Sequence, residues 1–239
     1  MGVKYKRILL KLSGEFLGGE GERGIDPAVL KRIGEDIRAA YNLGCQIAIV
    51  VGGGNFWRGR DHKEVEKTRS DHMGMLGTII NALAVADALE KLGLEVRVQT
   101  AISMQAIAEP YIRARAIRHL EKGRIVVLAG GTGNTRFSTD TAAALRCAEI
   151  GAEVIFKATK VDGVYDKDPA KHADAVRYES MTFSQYLDQK LEVMDSTAAT
   201  MCRDNDPPIP LLVFSLSTPG NIARAVQGEI VGTFVSEEL

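Results

Sequence analysis

Three stretches of the chain are apolar without alternation and end in glycines and small polar residues. They span residues 8–14, 47–55 and 125–134. An apolar run without alternation predicts a strand that is covered on both faces, as in a parallel sheet. Ligands of open parallel sheets bind beyond the carboxyl ends of the strands, where glycine lets the backbone approach an anion closely. The pattern therefore predicts one large crevice that binds phosphate.

Apolar residues at helical spacing fill the intervals between these strands. The first helix is predicted to start at Asp26 and Pro27, which are typical of a helix start, and to end at Gly44. Further helices are predicted at residues 71–92, 110–121, 140–150, 183–190 and 195–203 and from 219, and further strands at 96–98, 154–156, 211–214 and 233–235. Residues 159–178 are predicted to form a hairpin or an excursion over one edge. The alternation predicts an α/β fold with a mostly parallel central sheet and helices on both faces, in a single domain of residues 1–239.

The helix predicted at residues 71–92 is apolar around most of its circumference. Its apolar positions are Met73, Met75, Leu76, Ile79, Ile80, Leu83, Val85 and Leu89. A helix of this kind is buried either centrally in the fold or against another subunit. The pattern alone leaves both alternatives open.

Composition limits the classes of protein that fit. The 239 residues are 45% hydrophobic and 26% charged, which is typical of a soluble globular protein. A net charge of −1 gives no electrostatic reason to expect nucleic acid or an anionic membrane as a partner. We expect neither a bilayer-spanning run of roughly 18 to 20 apolar residues nor a signal peptide. Cys45, Cys147 and Cys202 are odd in number and far apart, which argues against disulfides and zinc and favours buried thiols in the cytoplasm.

Two lysines stand where apolar strands end. Lys11 lies inside the first apolar run, just before Ser13 and Gly14, and Lys157 follows the strand predicted at residues 154–156. A buried ammonium group without a partner is costly, so each lysine needs an anion. A structural salt bridge satisfies this need, and so does a phosphate at the strand end. Two such lysines on one sheet favour the anionic ligand.

Two further segments carry donors that suit phosphate. Arg58 follows the glycine loop at residues 52–54, and its guanidinium either binds phosphate oxygens or is a solvated loop group. Residues 130–140 are dense in hydroxyl and backbone donors and lead into a helix N-terminus, where the helix dipole favours anions. Ser138 or Thr139 also suits the N-cap of that helix, a function compatible with ligand binding.

Other sources of chemistry are less well supported. The chain lacks the P-loop motif, and its four histidines have neither metal spacing nor a nucleophilic partner. A literal Gly-x-Gly-x-x-Gly occurs at residues 19–24, but it does not lie directly between a strand and a helix as a dinucleotide site requires. We interpret it as a surface loop.

Taken together, the motifs resemble those of the bacterial UMP kinases of the amino acid kinase superfamily, essentially from end to end. The matching segments are residues 11–15, 52–55 with Arg58, 71–75, 132–134, 139–140, 157–165 and 168–169. The glycine loops alone fit the whole superfamily, whereas residues 71–75 and the threonine-rich loop point to the UMP branch. The resemblance implies transfer of the γ-phosphoryl group of ATP to UMP with Mg²⁺, in pyrimidine nucleotide biosynthesis.

The resemblance also implies a set of site residues. The ATP site would consist of Lys11, Leu12, Ser13, Gly14, Gly54, Arg58, Lys157, Thr159, Tyr165 and Asp168. The UMP site would consist of Gly53, Asp71, Thr132, Gly133, Asn134, Thr135, Arg136, Phe137, Ser138 and Thr139, with Asp71 on the ribose. Lys11, Arg58 and Asp140 are the expected catalytic residues, with Asp140 orienting Lys11 or a hydrated Mg²⁺; no side chain is assigned as a direct metal ligand.

The resemblance further implies a homohexamer regulated by nucleotides, with GTP as activator and UTP as inhibitor. The N-terminal part would mainly bind UMP and oligomerise, and the C-terminal part would mainly bind ATP. Three departures stand out: Thr135-Arg136 replaces Pro-Phe, residues 19–24 are unusually charged in a segment linked to effector response, and Ala86 and Glu90 lack the basic side chains of a GTP site. The last departure argues against activation by GTP.

Three alternatives remain. A superfamily kinase that acts on a carboxylate amino acid would need a cationic pocket for its substrate, and no such segment is apparent. The presence of Lys11, Arg58 and Asp140 argues against a non-catalytic nucleotide-binding regulator, and only turnover decides between it and an enzyme. An NAD-dependent oxidoreductase rests on residues 19–24 alone and is the weakest alternative.

Overall fold

The computed structural model describes residues 2–21, 23–191 and 193–237. Within these ranges nine strands form one sheet in the order β4-β3-β5-β2-β1-β6-β8-β9-β7. The strands are β1 (Arg7–Leu12), β2 (Gln46–Val51), β3 (Val96–Thr100), β4 (Glu109–Pro110), β5 (Ile125–Ala129), β6 (Ile155–Thr159), β7 (Ser180–Met181), β8 (Leu211–Ser215) and β9 (Thr233–Val235). Neighbouring strands run parallel except β8 and β9, which are antiparallel. The prediction of a mostly parallel sheet is confirmed.

Helices cover both faces of this sheet. They are α1 (Gly14–Leu17), α2 (Pro27–Asn42), α3 (Lys67–Glu90), α4 (Arg113–Glu121), α5 (Thr139–Ile150), α6 (Phe183–Asp188), α7 (Ser196–Asp204) and α8 (Asn221–Val226). Alternate residues of β1 show the two layers, because Ile8 and Leu10 join the core beneath α2, α3 and α8, whereas Leu9 joins the core beneath α4 to α7. The unalternating apolar runs therefore arise from burial on both faces, as predicted.

Three predicted boundaries are wrong by three or four residues, each for a local reason. Helix α3 begins at Lys67 and not at residue 71, because the Glu66 carboxylate caps it by accepting from the N–H groups of Thr68 and Arg69. Helix α4 begins at Arg113 and not at residue 110, since Glu109–Pro110 pairs with β3 as an edge strand. Strand β6 extends to Thr159, which places Lys157 inside the strand and not after it.

Helix α3 has apolar residues on two sides. Its most apolar 18 residues have a mean hydropathy of 1.3, so by length and composition alone the helix could cross a membrane. The expectation that no segment is long and apolar enough is therefore wrong. Half of that window is buried inside the fold, as in the core helix of a soluble protein. The side chains of Met73, Leu76, Ile80 and Leu83 nevertheless stay 37 to 48% exposed. The chain on its own therefore leaves an apolar surface on α3.

The cysteines are free thiols inside the hydrophobic cores. Cys45, Cys147 and Cys202 are all buried, which confirms the prediction of buried thiols. Burial raises the pKa of Cys45 and of Cys202 to about 12. These thiols therefore stay protonated and act as small apolar side chains.

The order of the strands brings the predicted crevice together. The chain passes from β1 to β2 and β5 on one side, and β6 and β8 lie on the other side. In an open α/β sheet, ligands usually bind at the carboxyl ends of two adjacent strands from which the chain continues in opposite directions. In this sheet that position is the end of β1, where Lys11 pairs in register with Lys157 of β6.

Candidate active site

Two lysines and one aspartate lie together at the carboxyl end of β1. Lys11 and Lys157 are in-register partners on adjacent strands, and only 8% and 6% of their surface is exposed. Asp140 is the second residue of α5, and its Oδ1 lies 2.8 Å from Lys11 Nζ and 2.6 Å from Lys157 Nζ. The structural salt bridge, one of the two alternatives for these lysines, is therefore present. One carboxylate serves two ammonium groups, so the cluster carries one net positive charge.

The charges in this cluster shift one another's protonation. Burial alone would raise the pKa of Asp140, but the ammonium groups of Lys11 and Lys157 outweigh it and hold that pKa well below its usual range. Burial, together with the charge of Lys11, lowers the pKa of Lys157 to about 8, although Asp140 opposes the shift. Lys157 is therefore close to losing its proton near neutral pH. A bound anion would keep it charged.

The glycine ends of β1 and β2 touch each other, which explains why side chains are excluded there. A Cβ on Gly14 would lie 2.6 Å from Asn55 Oδ1 and 2.7 Å from the Gly52 carbonyl oxygen. A Cβ on Gly53 would lie 2.5 Å from the Gly74 carbonyl oxygen in α3. The two loops and α3 therefore pack backbone against backbone, and Gly14, Gly53 and their neighbours can present N–H groups to a ligand.

Arg58 is held against these loops. Its Nε lies 3.1 Å from Glu15 Oε1 and donates a hydrogen bond to the Gly54 carbonyl oxygen at 3.2 Å. Its side chain is 23% exposed. The alternative of a solvated loop arginine is therefore wrong, since Glu15 and Gly54 orient the guanidinium at the edge of the crevice.

A cavity of about 570 Å³ opens on the β6 side of the lysine cluster. Six of the residues predicted for ATP line it, namely Lys11, Ser13, Lys157, Thr159, Tyr165 and Asp168. Its far wall consists of Gln189, Lys190, Leu191 and Val193. Leu12 is completely buried in the core, so only its backbone can reach a ligand. We call this space the donor cavity.

A second cavity of about 330 Å³ opens on the α3 side. It brings together Gly53, Gly54, Asp71, Phe137, Ser138 and Thr139. The Asp71 carboxylate lies 2.9 Å from Lys67 Nζ and accepts a hydrogen bond from the Arg136 N–H at 2.8 Å. We call this space the acceptor cavity, and Asp71 ties its wall on α3 to the loop before α5.

The loop that closes the acceptor cavity has an unusual backbone. Four residues predicted for the UMP site do not line this cavity, namely Thr132, Gly133, Asn134 and Thr135. They form a turn in which Thr132 Oγ1 accepts a hydrogen bond from the Asn134 N–H at 3.1 Å. Arg136 has a φ of 73°, a left-handed conformation that is uncommon for residues other than glycine. Ser138 caps α5 by accepting from the N–H groups of Asp140 and Thr141, which confirms the predicted capping function.

The glycine motif at residues 19–24 lies elsewhere. Its described part forms a short turn, Gly19–Gly21, that lines a different cavity together with Phe16, Asp26 and Arg32. Glu22, in the middle of the motif, lies outside the described residues. The turn does not join a strand to a helix, which agrees with the interpretation as a surface loop.

The fold and these residues match known proteins. Residues 6–215 match the amino acid kinase family. This chain belongs to the amino acid kinase family. It is similar to a UMP kinase from Bacillus anthracis, with 37% identity and a TM-score of 0.94 over 98% of this chain and 97% of the other.

Two further solved structures extend the comparison within the amino acid kinase family. A UMP kinase from Ureaplasma parvum is 35% identical, with a TM-score of 0.90 over 98% of this chain and 99% of the other. A uridylate kinase from Archaeoglobus fulgidus is 28% identical, with a TM-score of 0.70 over 96% of this chain and 99% of the other. The likeness therefore spans nearly the whole chain, including the sheet and both helix layers.

Several residues of this amino acid kinase site were missed by the sequence analysis. Glu15 holds Arg58, Lys67 holds Asp71, and Asp195 contacts the start of α5. In the sequence, Asp195 stands at the predicted start of a helix. That position indicates a capping residue but no partner outside its own helix. For Lys67 the spacing of four residues to Asp71 was a usable signal, since such pairs meet on one helix face.

The lowered pKa of Lys157 predicts a pH dependence. We expect kcat/KM for ATP to decline as the pH rises through about 8, because the deprotonated Lys157 no longer attracts phosphate. The measurement is a pH profile of kcat/KM for wild type and for Lys157→Arg, whose guanidinium stays charged. The decline should be absent from the variant, even if its plateau is lower. The same decline in both proteins would contradict this assignment.

Proposed function

We propose that this chain is a nucleoside monophosphate kinase that transfers the γ-phosphoryl group of ATP to UMP, giving UDP and ADP. The observation that carries the proposal is the Lys11–Asp140–Lys157 cluster: its two lysines line the donor cavity, and Asp140 directly follows Ser138 and Thr139, which line the acceptor cavity. The similarity to UMP kinases over nearly the whole chain supports UMP as the acceptor.

The residues present suit phosphoryl transfer. This reaction needs in-line positioning and cancellation of negative charge on the transferred group, with little covalent participation by the protein. Lys11 and Lys157 supply positive charge from the floor of the crevice, and Arg58 supplies it from the edge. Asp140 stays ionised and keeps both ammonium groups in place. The acceptor is already a phosphate anion, so the proposal requires no general base.

The two cavities take different nucleotides in this proposal. ATP would lie in the donor cavity, with its nucleoside end near Thr159, Tyr165 and Asp168 and its phosphates over the Ser13–Gly14 backbone. UMP would lie in the acceptor cavity, with its ribose at Asp71 and its phosphate toward Gly53, whereas Gly54 and Arg58 would hold the ATP phosphates. The loop of residues 132–139 and the N-terminus of α5 would close over it, where the helix dipole favours anions.

Mg²⁺ fits this site as a companion of ATP. Among the residues that the structure describes, no group of three or more histidine, cysteine or acid side chains is arranged to hold a metal. The Asp140 carboxylate is occupied by two ammonium groups, so we propose that the ATP phosphates and water supply the main ligands. When bound, Mg²⁺ neutralises charge on the phosphate chain.

Two other functions fit less well. A carboxylate kinase would need cations to hold an amino acid substrate. Lys67 and Arg60 line the acceptor cavity, but Lys67 is paired with Asp71, and Arg60 lies 3.9 Å from Glu15 and 3.7 Å from Asp61, so neither charge is unopposed. A non-catalytic regulator could use the two lysines to bind phosphate, so turnover is what separates it from an enzyme. We also propose that the chain acts as a single domain, with the N-terminal part mainly binding UMP and oligomerising and the C-terminal part mainly binding ATP.

The exposed face of α3 supports assembly. Met73, Leu76, Ile80 and Leu83 recur at helical spacing and form one apolar stripe. We propose that this stripe packs against other copies of the chain and that the assembly is a homohexamer. We further propose a cytoplasmic location, in keeping with three buried free thiols, and UTP as an inhibitory effector. Ala86 and Glu90 argue against GTP as an activator.

The reaction is tested by ADP release from Mg-ATP with a panel of acceptors. The panel contains UMP, CMP, dUMP, the purine monophosphates, glutamate and acetylglutamate, each with and without GTP and UTP. We expect UMP to be the best acceptor and Lys11→Ala to lower kcat by about 100-fold or more, since it removes a charge aimed at the transferred group. Lys122→Ala, an exposed lysine beyond α4, is the matched control and should stay active. Turnover of glutamate without turnover of UMP would overturn the proposal.

The assembly is tested by light scattering after gel filtration. We expect wild type to elute with the mass of six 25.9 kDa chains and Leu76→Glu with Ile80→Glu to shift to smaller species, because carboxylates in an apolar interface are costly. Val176→Glu, at an exposed apolar residue outside α3, is the control and should leave the assembly intact. A monomeric wild type, or a double variant that assembles like wild type, would refute the assigned interface.

A further inference from the structure

The Asp195 carboxylate lies where two helices begin. It is the N-cap of α7 and accepts a hydrogen bond from the Ala198 N–H at 3.0 Å. It also accepts from Thr141 Oγ1, at 3.1 and 3.2 Å to its two oxygens, and from the Ser138 hydroxyl. A carboxylate that only capped α7 would not need donors from another helix. Asp195 therefore joins the starts of α5 and α7.

On the α5 side, these bonds reach both parts of the candidate active site. Ser138 is the N-cap of α5 and lines the acceptor cavity, and Thr139 follows it. Asp140 is the next residue and holds the two lysines. Thr141 is buried at 3% exposure, so its hydroxyl has a fixed environment. A shift of Asp195 would therefore move the first turn of α5, on which the acceptor cavity and the lysine cluster both depend.

On the other side, Asp195 is joined to the wall of the donor cavity. Its neighbour Met194 is buried, and the Tyr186 hydroxyl accepts from the Met194 N–H at 2.6 Å and donates to the Met194 carbonyl oxygen at 2.7 Å. These two bonds close the segment that contains Gln189, Lys190 and Leu191, which form the donor wall. The donor wall is therefore anchored at Met194, the residue directly before Asp195, by its two hydrogen bonds with Tyr186.

We propose that Asp195 is a positioning residue that couples the two cavities, so that a nucleotide against the donor wall increases the affinity of the acceptor cavity for its nucleotide. This inference rests on the proposed function, because it assumes ATP in one cavity and UMP in the other. The coupling runs from the donor wall through Met194 and Asp195 to Ser138 and Thr141. Because a coupling between two binding equilibria is reciprocal, UMP must strengthen donor binding by the same factor.

The experiment measures the dissociation constant of UMP by calorimetry, without and with saturating Mg²⁺ and a non-hydrolysable ATP analogue. The ratio of the two constants is the coupling factor. For wild type we expect a factor in the usual range of about 5 to 150. For Asp195→Asn we expect it to fall toward 1, since an amide keeps the cap of α7 but has only one oxygen to accept from three donors.

Two further variants keep the result interpretable. Thr141→Val removes one donor from the α5 side with little change in shape, and it should lower the coupling factor. In the double variant with Asp195→Asn, the two effects on the coupling factor should not add, because both remove the same contact. Asp26→Asn is the matched control, because Asp26 caps α2 by accepting from the N–H groups of Ala28 and Val29 in its own helix. It should leave the coupling factor at the wild-type value.

The outcomes separate this inference from the proposed function. Wild-type turnover of UMP with an unchanged coupling factor in Asp195→Asn and in Thr141→Val would overturn the inference and leave the function standing. A wild-type factor of 1 would also overturn it. Absence of UMP turnover in wild type would overturn the proposed function itself. If Asp195→Asn fails to fold, the factor of Thr141→Val decides.

Discussion

The contact on which this site depends is one carboxylate between two ammonium groups. Asp140 lies within 2.8 Å of both Lys11 and Lys157, and all three side chains are nearly buried. Burial of one lysine with one aspartate would give a neutral pair that holds no attraction for phosphate. Two lysines on one aspartate leave one positive charge in a poorly solvated place, where an arriving phosphate is attracted strongly. The cost of burying that charge is offset when the anion binds.

This arrangement requires the topology of the sheet. Lys11 and Lys157 can share a carboxylate only because β1 and β6 are adjacent, parallel and in register. Asp140 reaches them because α5 begins at the same edge, after the loop that follows β5. The glycines at residues 14 and 53 let the neighbouring loops and α3 pack backbone against backbone at this edge of the sheet. The fold therefore determines the spacing of the charges as well as the position of the crevice.

Much of this was predictable from the sequence, because it depends on local patterns. The apolar runs gave the strands, and the lysines at their ends gave the crevice. Two partners were not predictable. The ion pair of Arg58 with Glu15 and the hydrogen bond from Thr141 to Asp195 join segments that are distant in sequence or carry no motif. The start of α3 was missed because the capping residue, Glu66, is an uncommon N-cap within a charged stretch that reads as a loop. Apolar residues around α3 predicted burial, but only the structure shows which of them face outward.

The central claim is that Asp140 balances only one of the two lysine charges. Lys157, with a pKa of about 8, therefore becomes fully protonated when phosphate binds. Calorimetry of a non-hydrolysable ATP analogue at pH 8, in buffers with different ionisation enthalpies, measures this directly. The account predicts an uptake of about half a proton per site, since Lys157 is half protonated at that pH, and no uptake in Lys157→Arg. A wild-type binding enthalpy that does not depend on the buffer would contradict it.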